Sequence, residues 1–175
     1  MENQNKKTNQ LVITRTFNAP KSLVFKAITE EEHLAKWWGP TGTKLMVYKL
    51  DVRAGGIFHY GMVAENNLEV YKSADIYGVF NYIEVNPSDK IVFLNGFADK
   101  DANIIRAPFA ENFPKEVHNT WTFTEENGKT TLTLTGVPYN ATAEENEFFG
   151  QMHAGMNQGF GGTFDQLEKY LNSIR

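Results

Sequence analysis

The side chains that could bind a metal ion are few and scattered along this chain. The four histidines, His33, His59, His118 and His153, form neither an i, i+4 helical pair nor a His-x-His strand pair, and those are the spacings that bring two imidazoles to one ion. We therefore expect each to be a surface or singly bonded histidine, and we predict no metal site.

The chain also lacks the groups that begin covalent catalysis. It has no cysteine, and no serine lies between the glycines of a strand-to-helix nucleophile elbow. The glycines at 159–162 fall inside a predicted helix rather than between a strand and a helix, so they do not form a phosphate-binding loop. We accordingly predict no catalytic residue and no cofactor.

Three carboxylates come nearest to an interior position: Asp51, Asp75 and Glu84. A carboxylate acts as an acid or base near neutral pH when an apolar pocket raises its pKa. Strand alternation turns Asp51 and Asp75 outward and leaves Glu84 at a strand end, so we expect all three to be solvated. An enzyme of the cyclase or hydrolase type stays open as an alternative.

Four neutral polar side chains are expected to point inward: Tyr60, Tyr82, Asn95 and Asn119. Each needs a partner when it is buried, because an unmade buried hydrogen bond costs about 1–3 kcal/mol. They could orient an oxygen of a bound molecule, or they could bond to one another and to water. The sequence leaves both open.

The element that must position these groups is a long amphipathic helix predicted over residues 141–171. Thr142 and Glu145 form a capping-box pair at its start. An apolar row then recurs at three- and four-residue steps, which is helical spacing. The row consists of Phe149, Met152, Met156, Phe160, Phe164, Leu167 and Leu171.

Five glycines lie inside this predicted helix, although each costs about 0.5–1 kcal/mol relative to alanine. They are Gly150, Gly155, Gly159, Gly161 and Gly162. One explanation is a kink or close packing of the helix on a sheet. The other is that missing side chains, with flexible Met152 and Met156 beside them, leave room for a guest molecule.

Alternating residues predict one strand before two short helices and about six strands after them. The first strand is Leu11–Phe17. Pro20 opens the first helix, and Thr29 with Glu32 is expected to cap a second one that carries Trp37-Trp38. Further strands are predicted at 44–52, 57–63, 70–85, 90–97, 117–125 and 129–137, with hairpin turns at 65–67 and 126–128.

This order of elements predicts an α+β fold, in which a curved antiparallel sheet meets the terminal helix with its inner face. The side chains that alternation points inward are Phe58, Tyr60, Met62, Ile76, Phe80, Tyr82, Phe93, Asn95, Phe97, Trp121, Phe123, Leu132 and Leu134. Residues 98–115 are long enough for a lid or binding loop, and a passive link is equally open.

Composition narrows the class of partner. The net charge of −4 supplies no basic stripe for nucleic acid or an anionic membrane surface. The absence of cysteine fits a reducing compartment, and residues 1–10 are polar, without the apolar core of a signal peptide or anchor. We therefore expect a flexible leader at 1–10, a single domain at 11–175, a cytoplasmic location, no nucleic acid and no membrane insertion.

Five motifs, in order along the chain, resemble the START-like (SRPBCC) superfamily, which has the helix-grip fold of the birch allergens. Within it they resemble the family of homologues of the activator of heat-shock-protein-90 ATPase. The motifs are WWGP at 37–40 with Gly42, GGIF at 55–58, PSDKIVF at 87–93, WTF at 121–123 leading to TLTLT at 131–135, and GFGGTFDQL at 159–167. Phe160 departs from the tryptophan of many members, and Asn86-Pro87 departs from a common Pro-Pro pair.

The resemblance covers about Val12 to Leu171 and implies a seven-stranded antiparallel sheet that grips the C-terminal helix around a cavity. In this superfamily the cavity often receives an apolar small molecule, and some members are cyclases, so the fold does not decide the activity. The full activator contacts the chaperone through a separate N-terminal domain. The residues before Leu11 are too few to form one, so we expect no chaperone partner.

The leading hypothesis is a non-enzymatic carrier or sensor of a small apolar or aromatic molecule, held between the terminal helix and the sheet. A chaperone-associated module and a homodimer are left open. One tryptophan of the Trp37-Trp38 pair should be buried and the other partly exposed at the cavity mouth. The candidate ligand-binding residues are Trp37, Phe58, Tyr60, Met62, Phe80, Tyr82, Phe93, Asn95, Trp121, Phe123, Phe149, Met152, Met156 and Phe160.

Overall fold

A computed structural model describes residues 9–65 and 76–175 of the chain. Several predicted features lie outside these residues: most of the leader at 1–10, part of the turn at 65–67, the beginning of the strand predicted at 70–85, and Asp75.

Seven strands form one antiparallel sheet, which confirms the predicted architecture. They are β1 (Leu11–Phe17), β2 (Thr43–Leu50), β3 (Ile57–Ala64), β4 (Ile76–Asn86), β5 (Lys90–Ala98), β6 (Glu116–Glu126) and β7 (Lys129–Tyr139). Their order across the sheet is β1-β7-β6-β5-β4-β3-β2. The first strand therefore pairs with the last, and the other strands follow one another as neighbours.

Local sequence explains the turns and the curvature of the sheet. Asn127 and Gly128 both adopt positive φ, 54° and 75°, in the turn between β6 and β7, which fits the Asn-Gly hairpin signal. Register shifts occur between Val47 and Lys49 and between Tyr82 and Glu84. Such bulges increase the local twist of a sheet and help it to curve around a helix.

Two short helices follow β1, α1 (Lys21–Thr29) and α2 (Glu31–Leu34). Pro20 is the N-cap of α1, close to its predicted place. The capping box predicted from Thr29 and Glu32 is wrong: Thr29 ends α1, and its hydroxyl donates to the carbonyl of Phe25 at 2.7 Å. The residue before α2 is Glu30, whose side chain caps nothing.

The terminal helix begins as predicted but is divided in two, α3 (Ala143–Gln151) and α4 (His153–Ile174). The capping box of Thr142 and Glu145 is confirmed, with both reciprocal hydrogen bonds present at 3.0 and 3.1 Å. The helical path is interrupted at Met152, where ψ is −3°. Of the helices described, none is long and apolar enough to cross a bilayer.

The inner face of the sheet carries the predicted apolar set, and the C-terminal half of α4 packs tightly on it. Phe164, Leu167 and Leu171 are buried. The ring of Phe164 meets those of Phe17 and Trp121 edge-on at 6.0 and 6.2 Å. Outside this core, Arg15 of β1 donates to Asp165 and Glu168 of α4 at 2.6 Å each, which fixes the helix to one edge of the sheet.

Candidate ligand-binding cavity

A first cavity of about 170 Å³ lies between the sheet and the helical segments that cover it. Strands β3 to β6 supply one wall, α3 and α4 supply the opposite wall, and Phe113 of the loop at 99–115 closes part of the rim. Its lining consists of Leu11, Tyr60, Met62, Ile76, Tyr77, Gly78, Asn95, Gly96, Phe97, Phe113, Val117, Asn119, Phe149, Met156 and Phe160.

A second cavity of about 280 Å³ adjoins the first at the turn that follows α2. Its lining consists of Trp38, Gly39, Pro40, Tyr60, Met62, Met156, Gly159, Phe160 and Thr163. Tyr60, Met62, Met156 and Phe160 border both cavities, so these four side chains form the partition between them. Two of the four are methionines, whose unbranched side chains adapt to irregular space.

The partition depends on a missing side chain in the sheet. Tyr60 of β3 pairs with Gly78 of β4. A Cβ at Gly78 would lie only 2.5 Å from the phenol carbon and hydroxyl of Tyr60. Because Gly78 has no side chain, the ring of Tyr60 can lie across the neighbouring strand and reach both cavities.

Gly39 lines the second cavity, and its backbone connects the turn after α2 to α4. This residue has φ of +104°, a conformation that favours glycine. Its carbonyl accepts a hydrogen bond from Gln166 of α4 at 2.7 Å. The Trp-Gly-Pro turn and the middle of α4 are thereby held at a fixed distance, with Trp38 facing the space between them.

The loop at 99–115 is attached to the first turn of α3. Arg106 donates to Glu145 Oε1 at 2.8 Å and to the carbonyl of Glu111 at 3.1 Å. The hydrogen bond from Arg106, followed by that from the Thr142 backbone, lowers the pKa of Glu145 below its ordinary value. Phe113 lies 6.1 Å from the ring of Phe149, so the loop supplies an aromatic side chain to the cavity wall.

Two side-chain amides form the main polar feature of the first cavity. Asn119 Nδ2 donates to Asn95 Oδ1 at 2.6 Å and to the carbonyl of Val117 at 3.0 Å. Asn119 is buried, and Asn95 is half-buried at the cavity wall. The predicted inward position of both residues is correct, and they do bond to each other.

Tyr60 adds a hydroxyl that stays protonated near neutral pH. Burial raises its pKa to about 12, and a hydrogen bond from Trp38 opposes this effect. Burial also raises the pKa of Tyr82, with a smaller contribution from the nearby Tyr60. These phenols can therefore donate and accept hydrogen bonds, but they do not serve as bases at neutral pH.

Six of the fourteen predicted ligand-binding residues line the two cavities: Tyr60, Met62, Asn95, Phe149, Met156 and Phe160. Five more surround a void of only about 10 Å³, namely Phe58, Phe80, Tyr82, Phe93 and Trp121. They form a packed aromatic cluster in which the rings of Phe80 and Phe93 stack at 4.2 Å. These packed aromatic residues lie beside the two cavities and line neither of them.

The remaining three predicted residues border neither cavity. Trp37 is buried and its indole donates to the carbonyl of Ala27 at 2.8 Å. Phe123 packs edge-on against Phe25 at 5.6 Å, and Met152 lies at the helix interruption. As expected for this pair, one tryptophan is buried and the other, Trp38, is half-buried at a cavity.

The structure adds lining residues that the sequence did not select as ligand-binding. Gly78 was detectable, because a glycine at an inward strand position leaves space beside it. The sequence predicted that Phe97 points inward, but it did not identify Phe97 as a residue that lines the cavity. Phe113 carried no signal, since the loop that contains it has no periodic pattern.

Of the carboxylates considered for acid–base chemistry, the two that the structure describes, Glu84 and Asp51, line neither cavity. Glu84 is paired with Lys90 and Asp51 with Arg53, each at 2.8 Å. His59 is buried on the outer side of the sheet, where its Nε2 lies 3.1 Å from the carbonyl of Asp99. Among the described lining residues of the two cavities there is no aspartate, glutamate, histidine, lysine or arginine.

One cluster of metal-ligating types is present in the described part of the chain, formed by Glu30, Glu32 and His33. Both carboxylates are exposed, and His33 Nδ1 lies 2.6 Å from the hydroxyl of Tyr170. Exposed acidic groups commonly meet in this way without an ion. None of the three residues lines either cavity.

A curved antiparallel sheet around a long C-terminal helix, with two short helices after the first strand, defines the helix-grip class of the START-like superfamily. The family described as activator of Hsp90 ATPase homolog 1-like protein matches residues 18–172. The chain belongs to this family.

Solved structures from several bacteria share the fold. Protein Ms6760 from Mycobacterium smegmatis is 26% identical, with 98% of this chain and 96% of that chain covered at a TM-score of 0.75. A Staphylococcus epidermidis protein solved by NMR is 28% identical, with 99% and 96% covered at 0.73. The AHSA1 protein from Silicibacter pomeroyi, at 19% identity, 95% and 99% coverage and a TM-score of 0.68, is similar in fold. None of the curated proteins compared with the chain matches it.

Proposed function

We propose that this protein is a non-enzymatic carrier or sensor of a small, largely apolar molecule held between α4 and the concave face of the sheet. The observation that carries the proposal is the pair of adjoining cavities, whose partition consists of Tyr60, Met62, Met156 and Phe160. Membership of a family with a ligand-binding or carrier type of fold supports it.

The size of the space is compatible with useful affinity. An engineered apolar cavity of about 150 Å³ accommodates benzene, so the first cavity suits one ring and the two together suit a molecule of two rings. Burial of ~300 Å² of apolar ligand surface contributes roughly 7 kcal/mol before the costs of ordering. Before those costs this gain corresponds to a Kd of about 10 μM, so apolar burial alone would give an affinity in the micromolar range or weaker.

The polar groups favour binding over catalysis. Tyr60, Asn95 and Asn119 are neutral, and the high pKa of Tyr60 keeps its hydroxyl protonated. A hydrolase or cyclase would need an acid or base beside the ligand. A cytoplasmic location and the absence of a chaperone partner stay predictions of the sequence, and a homodimer stays open.

The proposal is tested by thermal unfolding and native mass spectrometry against a library of neutral aromatic compounds and lipids. Val117→Phe should fill part of the first cavity, because Val117 is buried in its lining. Val12→Phe is the matched control on the outside of β1, where Val12 is 52% exposed. We expect ligands to raise the Tm of the wild type and of Val12→Phe, and to lose this effect in Val117→Phe.

Two results would contradict the proposal. One is a library in which no compound raises the Tm or adds mass to the native protein. The other is an equal Tm increase in wild type and Val117→Phe, which would exclude the first cavity and with it a ligand that spans the pair. A chaperone pull-down with an ATPase assay tests the family's namesake activity separately.

A further inference from the structure

The paired amides in the first cavity define which polar group a ligand should carry. Asn95 of β5 and Asn119 of β6 come from neighbouring strands and both line the cavity. The backbone fixes their orientation. Because Asn119 lies 3.0 Å from the carbonyl of Val117, its NH₂ group must face that oxygen. The other N–H then points to Asn95 Oδ1 at 2.6 Å.

Counting donors and acceptors shows what is left for a ligand. A side-chain amide has two N–H donors and an oxygen with two acceptor sites. Asn119 uses both donors within the protein, which leaves its Oδ1 as an acceptor. Asn95 uses its oxygen, which leaves its Nδ2 as a donor. The residues described supply no hydrogen-bond partner for Asn119 Oδ1 or Asn95 Nδ2.

We propose that this pair recognises a neutral amide, of the carboxamide or lactam type, carried on an apolar frame. The amide oxygen of the ligand accepts from Asn95 Nδ2, and its N–H donates to Asn119 Oδ1. This inference rests on the function proposed above and specifies the ligand of that cavity.

The same groups discriminate against charged ligands. No cationic side chain occurs among the described lining residues, so a carboxylate would be buried without a counter-charge. It would also place an oxygen against the oxygen of Asn119. Tyr60 does not alter this preference, because its protonated hydroxyl can donate or accept.

A ligand that lacks the N–H leaves Asn119 Oδ1 without a partner. An unpartnered buried acceptor weakens binding by roughly tenfold or more. The carbonyl oxygen alone is therefore insufficient, and an amide should bind more tightly than a ketone of the same shape.

Three probes of nearly equal shape separate these contributions in calorimetric titrations at pH 7.5. Naphthalene-2-carboxamide donates and accepts, 2-acetylnaphthalene only accepts, and naphthalene-2-carboxylate is charged. We expect the carboxamide to bind about tenfold or more tightly than the ketone, and the carboxylate to bind most weakly.

A matched pair of variants locates the contact. Asn95→Leu removes the unused N–H donor of a lining residue, whereas Asn81→Leu makes the same change at an exposed position of β4. We expect Asn95→Leu to weaken the carboxamide and the ketone by about tenfold and to leave unsubstituted naphthalene unchanged. Asn81→Leu should behave as wild type with all four compounds.

The outcomes distinguish this inference from the function on which it rests. If the ketone or the carboxylate binds as tightly as the carboxamide, the inference is overturned and the carrier function stands. The same conclusion holds if library compounds bind but none of the three probes does. If no compound binds at all, the carrier function fails as well. Should Asn95→Leu not fold, the order of affinities for the wild type decides alone.

Discussion

Tyr60 contributes both to the packing of the sheet and to the polar groups of the cavities. Its ring lies over Gly78 and separates the two cavities, and its hydroxyl is one of few polar groups there. Burial raises the pKa of this phenol to about 12, above the value of about 10 for an exposed tyrosine. The protein therefore keeps a neutral hydrogen-bonding group in an apolar space.

The raised pKa has a consequence at alkaline pH. The folded protein retains a proton that the unfolded chain releases between pH 10 and 12, so the free energy of unfolding should fall as pH rises through this window. Between pH 9 and pH 11, we expect the wild type to lose about 1 kcal/mol more than Tyr60→Phe. Urea unfolding of both proteins at the two pH values measures the difference. Parallel losses would contradict the burial of this phenol.

At the scale of elements, the glycines of α4 have an unexpected explanation. A Cβ at Gly155, Gly161 or Gly162 would meet no atom within 4 Å. Close packing of helix on sheet therefore does not account for these three. Gly150 of α3 differs, because a Cβ there would lie 2.9 Å from the side chain of Asn9. The glycines of α4 weaken the helix beside the second cavity without a packing benefit.

Alanine substitutions in α4 should accordingly stabilise the protein. We expect Gly155→Ala and Gly162→Ala each to raise the free energy of unfolding by about 0.5–1 kcal/mol, because alanine restricts the unfolded backbone and favours helix. Gly78→Ala is the contrasting change and should destabilise by about 1–3 kcal/mol, since its Cβ would overlap the ring of Tyr60. Denaturant midpoints at unchanged m-values provide the comparison. Destabilisation by either helical alanine would show that the exposed surface of α4 has a contact of its own.

The ion pair between Arg106 and Glu145 connects the loop at 99–115 to α3. The pKa of Glu145 is lowered mainly by the hydrogen bond from Arg106, so its contribution to stability is present near neutral pH and is lost as pH falls through the folded pKa. Glu145→Gln should be less stable than wild type by about 0.5–1 kcal/mol at pH 7. The difference between the two proteins should be smaller at pH 3 than at pH 7. Unfolding curves at both pH values test this, and a constant difference would mean that charge plays no part.

At the scale of the whole molecule, the sequence predicted the architecture but not which of the inward side chains line a cavity. Period-two alternation and turn signals such as Asn127-Gly128 were sufficient for the α+β class and the inward side chains. They could not distinguish Phe80 and Phe93, which stack in a packed cluster, from Met156 and Phe160, which border a cavity. That difference depends on summed side-chain volumes across several elements, and no local pattern reports them.

Two further features of the cavities were not predicted from the sequence: which of two adjacent tryptophans lines a cavity, and the position of Phe113. Trp37 and Trp38 are adjacent, and it is Trp37 that is buried, with its indole donating to the carbonyl of Ala27 in α1. Phe113 reaches the first cavity because Arg106 attaches its loop to a helix 39 residues away along the chain. Both outcomes are set by contacts between separate elements, which no pattern within one element reports.

We expect the two halves of α4 to differ in local stability, because they differ in burial. Phe164, Leu167 and Leu171 are buried in the core, whereas Met156 and Phe160 are half-buried beside the cavities. Four glycines of α4 lie at or near the cavity half, and a Cβ at any of them would contact no atom outside the neighbouring helix backbone. Local opening requires less free energy where few apolar contacts must be broken. The cavity half of α4 should therefore open first and give a ligand access to the interior.

Hydrogen exchange followed by mass spectrometry measures this difference directly. We expect amides at 153–161 to exchange faster than those at 164–171 in the free protein, because opening of the first segment exposes cavities rather than core. A compound from the library at 100 times its Kd stabilises the folded state by about 2.7 kcal/mol, and it should slow exchange most in the first segment. Equal protection along α4, or slowing confined to 164–171, would mean that ligands do not enter beneath the glycine-rich half of the helix.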